Sequence, residues 1–202
     1  LAQSHYRAGQ FDDAERAYAA VMTDTGDYAA TAAYEQALAV YKRGDLKAAA
    51  DAMHAMAEHH PGHEQAPRAA LYAGTFLYEA GEFEQAMAHF EQAVNATPED
   101  YRPYLAMGAF LRDKGHATEA LEVLRTSLEL SKTSGLDWRL LEELGLASEL
   151  AGKTQDARSF LEQVIEFFTS RQVMDFPPTT ATALAKLYEN EGSLERAADM
   201  FR

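Results

Sequence analysis

The chain has 202 residues, 47% hydrophobic and 25% charged, which are ordinary values for a globular protein. Its formal net charge of −14 disfavours nucleic acids and anionic membranes as general partners, because an acidic surface repels phosphate groups. The absence of cysteine excludes disulfides and thiolate chemistry, and no apolar run approaches the roughly 18 residues that a membrane-spanning helix needs.

Six similar stretches recur along the chain, each with a Gly, usually an apolar residue two positions later and an Ala five positions later. Successive glycines are separated by 35, 37, 34, 37 and 40 residues, and a regular period of this size indicates a stacked-repeat architecture. We expect each repeat to be a helix pair in which the Gly ends the first helix in a left-handed conformation. In chain order these glycines are Gly9, Gly44, Gly81, Gly115, Gly152 and Gly192.

The residues that flank these glycines also repeat. Glycine inside a helix costs about 0.5–1 kcal/mol relative to Ala, so the glycines seven positions earlier predict close helix crossings. Pro61 and Pro98 are placed where second helices should end. The small residues seven positions before each Gly are Ala2, Ala37, Gly74, Gly108, Gly145 and Ala185, and the large residues nine positions after it are Tyr18, Met53, Phe90, Leu124, Leu161 and Phe201.

This pattern resembles the tetratricopeptide repeat family, whose repeat of about 34 residues forms two antiparallel helices. The resemblance covers the whole chain and implies an all-α fold, a right-handed superhelical solenoid of about six repeats. We predict a single array with incomplete terminal repeats, since Leu1 and Arg202 both fall inside helical patterns, as expected for a piece of a longer protein. The approximate repeats are 1–28, 29–65, 66–99, 100–136, 137–176 and 177–202.

The resemblance also implies that the first helices line a concave groove. Groove-facing positions then fall about 13, 10 or 9, 6 and 3 residues before each Gly, on one helical face. Tyrosines occupy this face in the N-terminal half and arginines in the middle, a composition typical of interfaces. We predict a peptide-binding groove that suits apolar side chains and carboxylates. Its candidate residues are Tyr6, Tyr34, Tyr41, Arg68, Tyr72, Thr75, Tyr78, Arg102, Arg112 and Arg139.

The same residues have a second interpretation, in which the tyrosines pack between repeats and the arginines pair with Glu64, Glu99 or Asp137.

A further subclass of the family binds C-terminal carboxylates through a Lys/Asn clamp, and this chain lacks that clamp. We therefore do not expect a chaperone-tail receptor of that kind. The matching positions hold Tyr34, Leu38, Leu71 and Thr75.

Two other segments carry alternatives. His54, His59, His60 and His63 cluster around a helix end without a familiar ligand spacing, so a solvated terminus is favoured over a metal site. The segment from Phe167 to Phe176 is unusual, because it has apolar residues where a connection between two helices is expected. These residues are Val173, Met174 and Phe176. It is interpreted either as a lengthened second helix whose end folds onto the core or as a docking surface for a partner.

The sequence has no phosphate-binding loop, nucleophile elbow or catalytic triad pattern. We predict a non-catalytic scaffold or adaptor that binds a protein or peptide and needs no cofactor. The alternatives are a regulatory arm of a larger enzyme and a structural scaffold that self-associates through exposed repeat ends at Leu1 or Phe201. The composition suits a soluble protein of the cytoplasm or a bacterial periplasm, without choosing between them.

Overall fold

The computed structural model describes residues 1–21, 27–132, 135, 137–173 and 175–201. The regular structure of these residues is entirely helical, which confirms the predicted fold class. No helix in this part of the chain combines the length and the apolar character that crossing a membrane requires. The helices are α1 (Ala2–Arg7), α2 (Phe11–Val21), α3 (Asp27–Arg43), α4 (Leu46–His59), α5 (Ala66–Glu79), α6 (Phe83–Ala96), α7 (Tyr101–Asp113), α8 (Ala117–Ser131), α9 (Trp138–Leu150), α10 (Thr154–Thr169), α11 (Pro178–Asn190) and α12 (Leu194–Asp199).

The six predicted turns share one hydrogen-bonded geometry. Each turn glycine has a positive φ, between 72° and 94°, which a side chain would disfavour. The residue after the glycine donates its N–H to a carbonyl five positions back, as Glu82 does to Leu77 at 2.8 Å. This pattern ends the first helix of every pair by satisfying one of its last carbonyl groups, and it confirms the predicted role of the glycines.

Helix starts are fixed by capping residues in several places. The carboxylates of Asp45, Asp100 and Asp137 accept hydrogen bonds from backbone N–H groups in the first turns of α4, α7 and α9, at 3.0–3.2 Å. A cap of this kind stabilises a helix by about 1 kcal/mol, because it satisfies an N–H group that has no partner within the helix.

The close crossings predicted within helix pairs are also present. An added Cβ at Gly74 would lie 2.6 Å from the ring of Phe90, and one at Gly145 would lie 2.6 Å from Leu161. The Ala residues that face the crossings are fully buried, among them Ala86. The sixth repeat differs, because α12 ends at Asp199 and Phe201 is 66% exposed instead of packed. Arg202 and Met174 lie outside the described residues.

The chain divides into two compact units, Leu1–Glu99 and Asp100–Arg202. The first unit contains α1 to α6 and the second contains α7 to α12, and within each unit successive helices pack against one another. The expected repeat boundaries after residues 65, 99, 136 and 176 fall between helices, whereas α3 begins at Asp27, before the expected boundary after residue 28. The superhelical path of the whole array stays a prediction.

Candidate functional site

An aromatic cluster joins two first helices of the N-terminal unit. It consists of Tyr34 and Tyr41 on α3 and Tyr72 and Phe76 on α5. The rings of Tyr41 and Phe76 are stacked with centroids 4.2 Å apart, and those of Tyr72 and Phe76 are parallel at 5.7 Å. The ring centroids of Tyr34 and Tyr72 are 6.1 Å apart. Three of the predicted tyrosines therefore share one surface, with Phe76 at its centre.

Burial separates the members of this aromatic cluster. Tyr34 and Phe76 are 4% and 3% exposed, so they form its floor. Tyr41 and Tyr72 are half-buried, so part of each side chain is exposed to solvent. The Tyr41 hydroxyl donates to Glu79 at 3.4 Å, and burial, followed by the charge of Glu79, raises the pKa of Tyr41. The cluster thus combines apolar area with a neutral hydroxyl that can exchange hydrogen bonds with a ligand.

Arg68 on α5 lies at one end of the aromatic cluster and is exposed. Burial raises the pKa of Tyr34 far above its usual range, and the positive charge of nearby Arg68 opposes that rise. No carboxylate among the described residues lies within the 4 Å ion-pair distance of Arg68, so the pairing with Glu64 that the second interpretation expects is not formed. Arg68 is a cation beside an apolar surface.

The other predicted residues of the N-terminal unit lie further from this cluster or are occupied locally. Tyr6 packs edge-on against Phe11, with ring centroids 5.6 Å apart. Tyr78 lies 5.9 Å from the ring of Phe83. The Thr75 hydroxyl donates to the carbonyl of Leu71 at 2.9 Å within its own helix, which is a common arrangement for Thr inside helices.

In the C-terminal unit, the three predicted arginines make different contacts. Arg102 forms an ion pair at 2.6 Å with Asp100, the residue that caps its own helix. Arg139 lies over the Trp138 ring at 4.9 Å and is 3.8 Å from Asp137, so its pairing with Asp137 agrees with the second interpretation. The contacts of Arg102 and Arg139 are local to the starts of α7 and α9, and Arg68 belongs to the other unit.

Arg112 joins α7 to α9. Its Nε and Nη2 groups donate hydrogen bonds to the carboxylate of Glu143, at 2.6 and 3.2 Å. Its Nη1 lies 2.5 Å from the carboxylate of Asp113. Burial raises the pKa of Glu143, and the hydrogen bonds from Arg112 partly offset that rise. The side chains of Arg112 and Glu143 are 23% and 17% exposed, so this pair is the most shielded contact among the predicted arginines.

Sequence reasoning did not select Leu146 and Lys186, which lie on the same helical face of the C-terminal unit. Glu149 and Lys186 form an ion pair at 2.6 Å. Both lie with Leu146 and Arg112 around an open cleft of about 540 Å³. Leu146 and Lys186 stand six positions before their turn glycines, as Thr75 does, so the repeat spacing could have identified them. Phe76 is five positions before its glycine, and the spacing gave no signal for it.

The histidine cluster does not form a metal site within the described residues, because no three potential ligands converge there. His54 instead contacts His89 on α6, with ring centroids 4.8 Å apart, and its Nε2 lies 3.4 Å from Glu58. Burial, followed by the charge of His54, lowers the pKa of His89. These rings pack between two second helices.

Comparisons with known proteins support the repeat fold. The profile of the tetratricopeptide repeat-like domain matches residues 21–185. Tetratricopeptide repeat protein 36 of Bos taurus is 32% identical over 125 residues, which are 60% of this chain and 66% of that protein, just under two thirds of its length. A tetratricopeptide repeat protein from Parabacteroides merdae has the same fold, with a TM-score of 0.74 at 16% identity over 98% of this chain and 74% of that one. A chain of the APC/C hetero-tetramer Cut9-Hcn1 is similar with a TM-score of 0.76 at 17% identity, over 98% of this chain and 37% of that one.

Proposed function

Since this chain belongs to the tetratricopeptide repeat family, we propose that it is a non-catalytic scaffold that holds a peptide segment of a partner protein against its first helices. The surface that we assign to this role is the aromatic cluster on α3 and α5, with Arg68 at its end. The observation that carries the proposal is the stacked set of Tyr41, Phe76 and Tyr72, in which Tyr41 and Tyr72 are only half-buried.

Aromatic rings supply most of the affinity in many interfaces, because they bury a large area and lose little side-chain entropy on binding. Here the buried rings of Phe76 and Tyr34 pack against the half-buried rings of Tyr41 and Tyr72. A partner therefore meets a rigid apolar surface, and less ordering is needed on binding than for flexible side chains. Apolar side chains of a peptide would pack on the rings, and the Tyr41 hydroxyl would bond to its backbone.

The charged part of the proposed site is Arg68. It has no carboxylate partner among the described residues within 4 Å, so a peptide carboxylate can bind it without displacing an existing ion pair. Arg102, Arg112 and Arg139 already contact carboxylates of this chain. We therefore assign the first contact with an acidic side chain of the peptide to Arg68, and a binding role for the other three arginines stays a prediction.

Selection of peptides from a random displayed library, followed by measurement of dissociation constants, tests this proposal. We expect selected peptides to contain apolar residues and at least one Asp or Glu. Tyr41→Ala and Arg68→Glu should each weaken binding by tenfold or more, while circular dichroism shows an unchanged helix content. Tyr28→Ala is the matched control, because Tyr28 lies on the same helix as Tyr41, is 83% exposed and contacts none of these rings.

Equal weakening by Tyr28→Ala and Tyr41→Ala would show that the aromatic cluster is not the site. Selected peptides whose binding is insensitive to Arg68→Glu would remove the acidic part of the proposal. Light scattering without peptide examines the alternative of a self-associating scaffold, for which the mass would rise with protein concentration. A regulatory arm of a larger enzyme would bind its own catalytic domain through the same surface and would respond to the same variants.

A further inference from the structure

A second aromatic surface lies in the C-terminal unit, where α10 ends and α9 begins. We name it the edge patch and define it as Trp138, Arg139, Phe167, Phe168 and Arg171. Trp138 meets Phe168 edge-on at 5.3 Å, and Phe168 meets Phe167 at 5.5 Å. The guanidinium of Arg171 lies 3.6 Å over the Phe167 ring, and that of Arg139 lies 4.9 Å over Trp138. Three connected rings are therefore bounded by a cation on each side.

The contact between Trp138 and Phe168 shows that the end of α10 folds back onto α9, as one of the two sequence interpretations expects. It does not cover the whole apolar segment. The three rings are half-buried, the two arginines are exposed, and Val173 is 41% exposed. The edge patch thus presents aromatic and cationic groups together, and it shares no residue with the aromatic cluster of the N-terminal unit.

Arg171 is held in a fixed position by several contacts. Its Nη1 donates to the carbonyl of Phe167 at 2.7 Å and lies 3.4 Å from the Ser170 hydroxyl. The backbone turns sharply just after it, because Gln172 has a φ of 58° and the N–H of Val173 bonds to the carbonyl of Phe168 at 3.0 Å. A non-glycine residue in this conformation is uncommon and is sustained by the surrounding structure.

The remaining donors of Arg171 define what it can bind. Among the described residues no carboxylate lies within 4 Å of its guanidinium, and neither Nε nor Nη2 makes a hydrogen bond. These two groups form the edge of a guanidinium that binds a carboxylate through two parallel hydrogen bonds. Stacking on Phe167 orients this edge in advance, so little side-chain freedom is lost when a carboxylate binds.

We propose that the edge patch is a second docking surface, which binds an acidic peptide segment with a carboxylate on Arg171 and an aromatic or apolar side chain against Trp138 and Phe168. Charge complementarity supports this occupant. The chain has 32 acidic and 18 basic residues, so an acidic ligand is repelled by most of the surface and needs a local cation that is already oriented. Arg171 is such a cation. Arg139, which lies 3.8 Å from Asp137, adds positive charge on the other side of the rings, and the rings provide apolar contact area.

The chain contains one tryptophan, and it lies within this patch. Tryptophan fluorescence therefore reports on the edge patch directly. The probes are capped nine-residue peptides composed of Asp, Glu, Phe and Gly in varied order, with Asn and Gln counterparts of the same sequences. We expect a saturable change in Trp138 emission with the acidic peptides and binding at least tenfold weaker with the amide counterparts.

Arg171→Gln and Arg139→Gln should each weaken the binding of the acidic peptides by about tenfold. Arg125→Gln is the control, since Arg125 is an exposed arginine of the same unit that makes no contact with the edge patch. Thermal unfolding of each variant separates lost binding from lost folding, and Arg139→Gln remains informative if Arg171→Gln unfolds. Tyr41→Ala should leave this binding unchanged, so that failure here and failure of the first-helix site are distinguishable.

Three outcomes would overturn the proposal. The first is the absence of a saturable signal with every acidic peptide. The second is equal affinity for acidic and amide peptides, which would remove the role of the arginines. The third is a better occupant, either a uridine oligonucleotide that binds more tightly than every peptide or a second copy of the chain, detected as a Trp138 signal that changes with protein concentration alone.

Discussion

At the scale of single residues, the helix pairs depend on positions where a side chain cannot be accommodated. A Cβ added at Gly74 would lie 2.6 Å from the Phe90 ring and 3.0 Å from the backbone oxygen of Ala86. Neither group can move far, because the ring is 2% exposed and the carbonyl belongs to α6. The close crossing of α5 and α6 therefore requires glycine at this position.

We predict that Gly74→Ala lowers the free energy of unfolding by about 1–3 kcal/mol, the usual cost of overpacking a core. This loss exceeds the gain of about 0.5–1 kcal/mol that Ala offers in a helix. Gly62→Ala is the control, because nothing lies within 4 Å of its added Cβ and its φ is not positive. Denaturant unfolding measures the free energy of unfolding of both variants, and equal values for the two would contradict the crossing geometry.

At Gln172 the backbone conformation, and not a side-chain contact, determines which residues are favourable. Its φ of 58° is unfavourable for a residue with a Cβ. We predict that Gln172→Gly raises the free energy of unfolding by up to about 1 kcal/mol, after allowance for the greater freedom of glycine in the unfolded chain. Gln172→Ala should have no such effect, since Ala has the same backbone restriction. Stabilisation by Ala equal to that by Gly would assign the effect to the side chain.

Individual residues also show what could be predicted from sequence. The turn glycines and buried alanines recur in register, so their roles followed from spacing alone. The pairing of Arg139 with Asp137 was one of the expected contacts, but the partners of Arg102 and Arg112 did not follow, because the repeat period does not specify which carboxylate a long side chain reaches. Arg102 pairs with Asp100 in its own cap, and Arg112 reaches Glu143 on the next first helix. The burial of Tyr34 beneath the outer rings depends on the helix packing, which the repeat period does not specify.

At the scale of helices, the contact between α7 and α9 depends on the ion pair of Arg112 and Glu143. Removal of the cation leaves a carboxylate that is largely buried without its main partner, a change that is more costly than removal of the acid. We predict that Arg112→Met destabilises the protein by about 1–3 kcal/mol at neutral pH. Glu143→Gln should cost less, because the amide is neutral and can still accept a hydrogen bond.

This prediction has a pH dependence whose sign follows from Glu143. Burial already raises the pKa of Glu143, while Arg112 lowers it, so Arg112→Met raises it further. A carboxyl group with a raised folded-state pKa is favourable when protonated, and that contribution is lost as the pH rises through the folded pKa. The penalty of Arg112→Met should therefore shrink as the pH falls from 7 towards 4.5. In Arg112→Met combined with Glu143→Gln this pH dependence should disappear, and a penalty that is constant with pH would contradict the account.

At the scale of the whole molecule, the excess of carboxylates is the dominant electrostatic feature, with a net charge of −14. Self-repulsion of this kind disfavours the compact state and is screened by salt. We predict that the melting temperature rises by about 2–4 °C between low and moderate ionic strength, which corresponds to about 1 kcal/mol for a chain of this size. Replacement of the exposed Glu84, Glu122 and Glu195 by Gln should reduce this rise. A melting temperature that falls with salt would show that attractive ion pairs dominate instead.

The whole chain also shows where sequence reasoning stops. A repeat period specifies the helix pairs and the face of each first helix, so the tyrosines of α3 and α5 could be assigned to one surface. Phe76 is the ring on which Tyr41 and Tyr72 stack, and it was not predicted because it lies off the spacing of that face. The edge patch depends on where α10 ends and how Arg171 is held, and neither is encoded in the period.

In the proposed complex, a partner peptide lies on the first helices of the N-terminal unit. The most direct measurement is a nuclear magnetic resonance titration of the labelled protein with a library-selected peptide, followed at tyrosine ring and backbone amide signals. We predict the largest shifts at Tyr41 and Tyr72 and in the adjoining turns of α3 and α5, with the signals of Tyr28 unchanged. Shifts confined to the second helices α4 and α6 would contradict it.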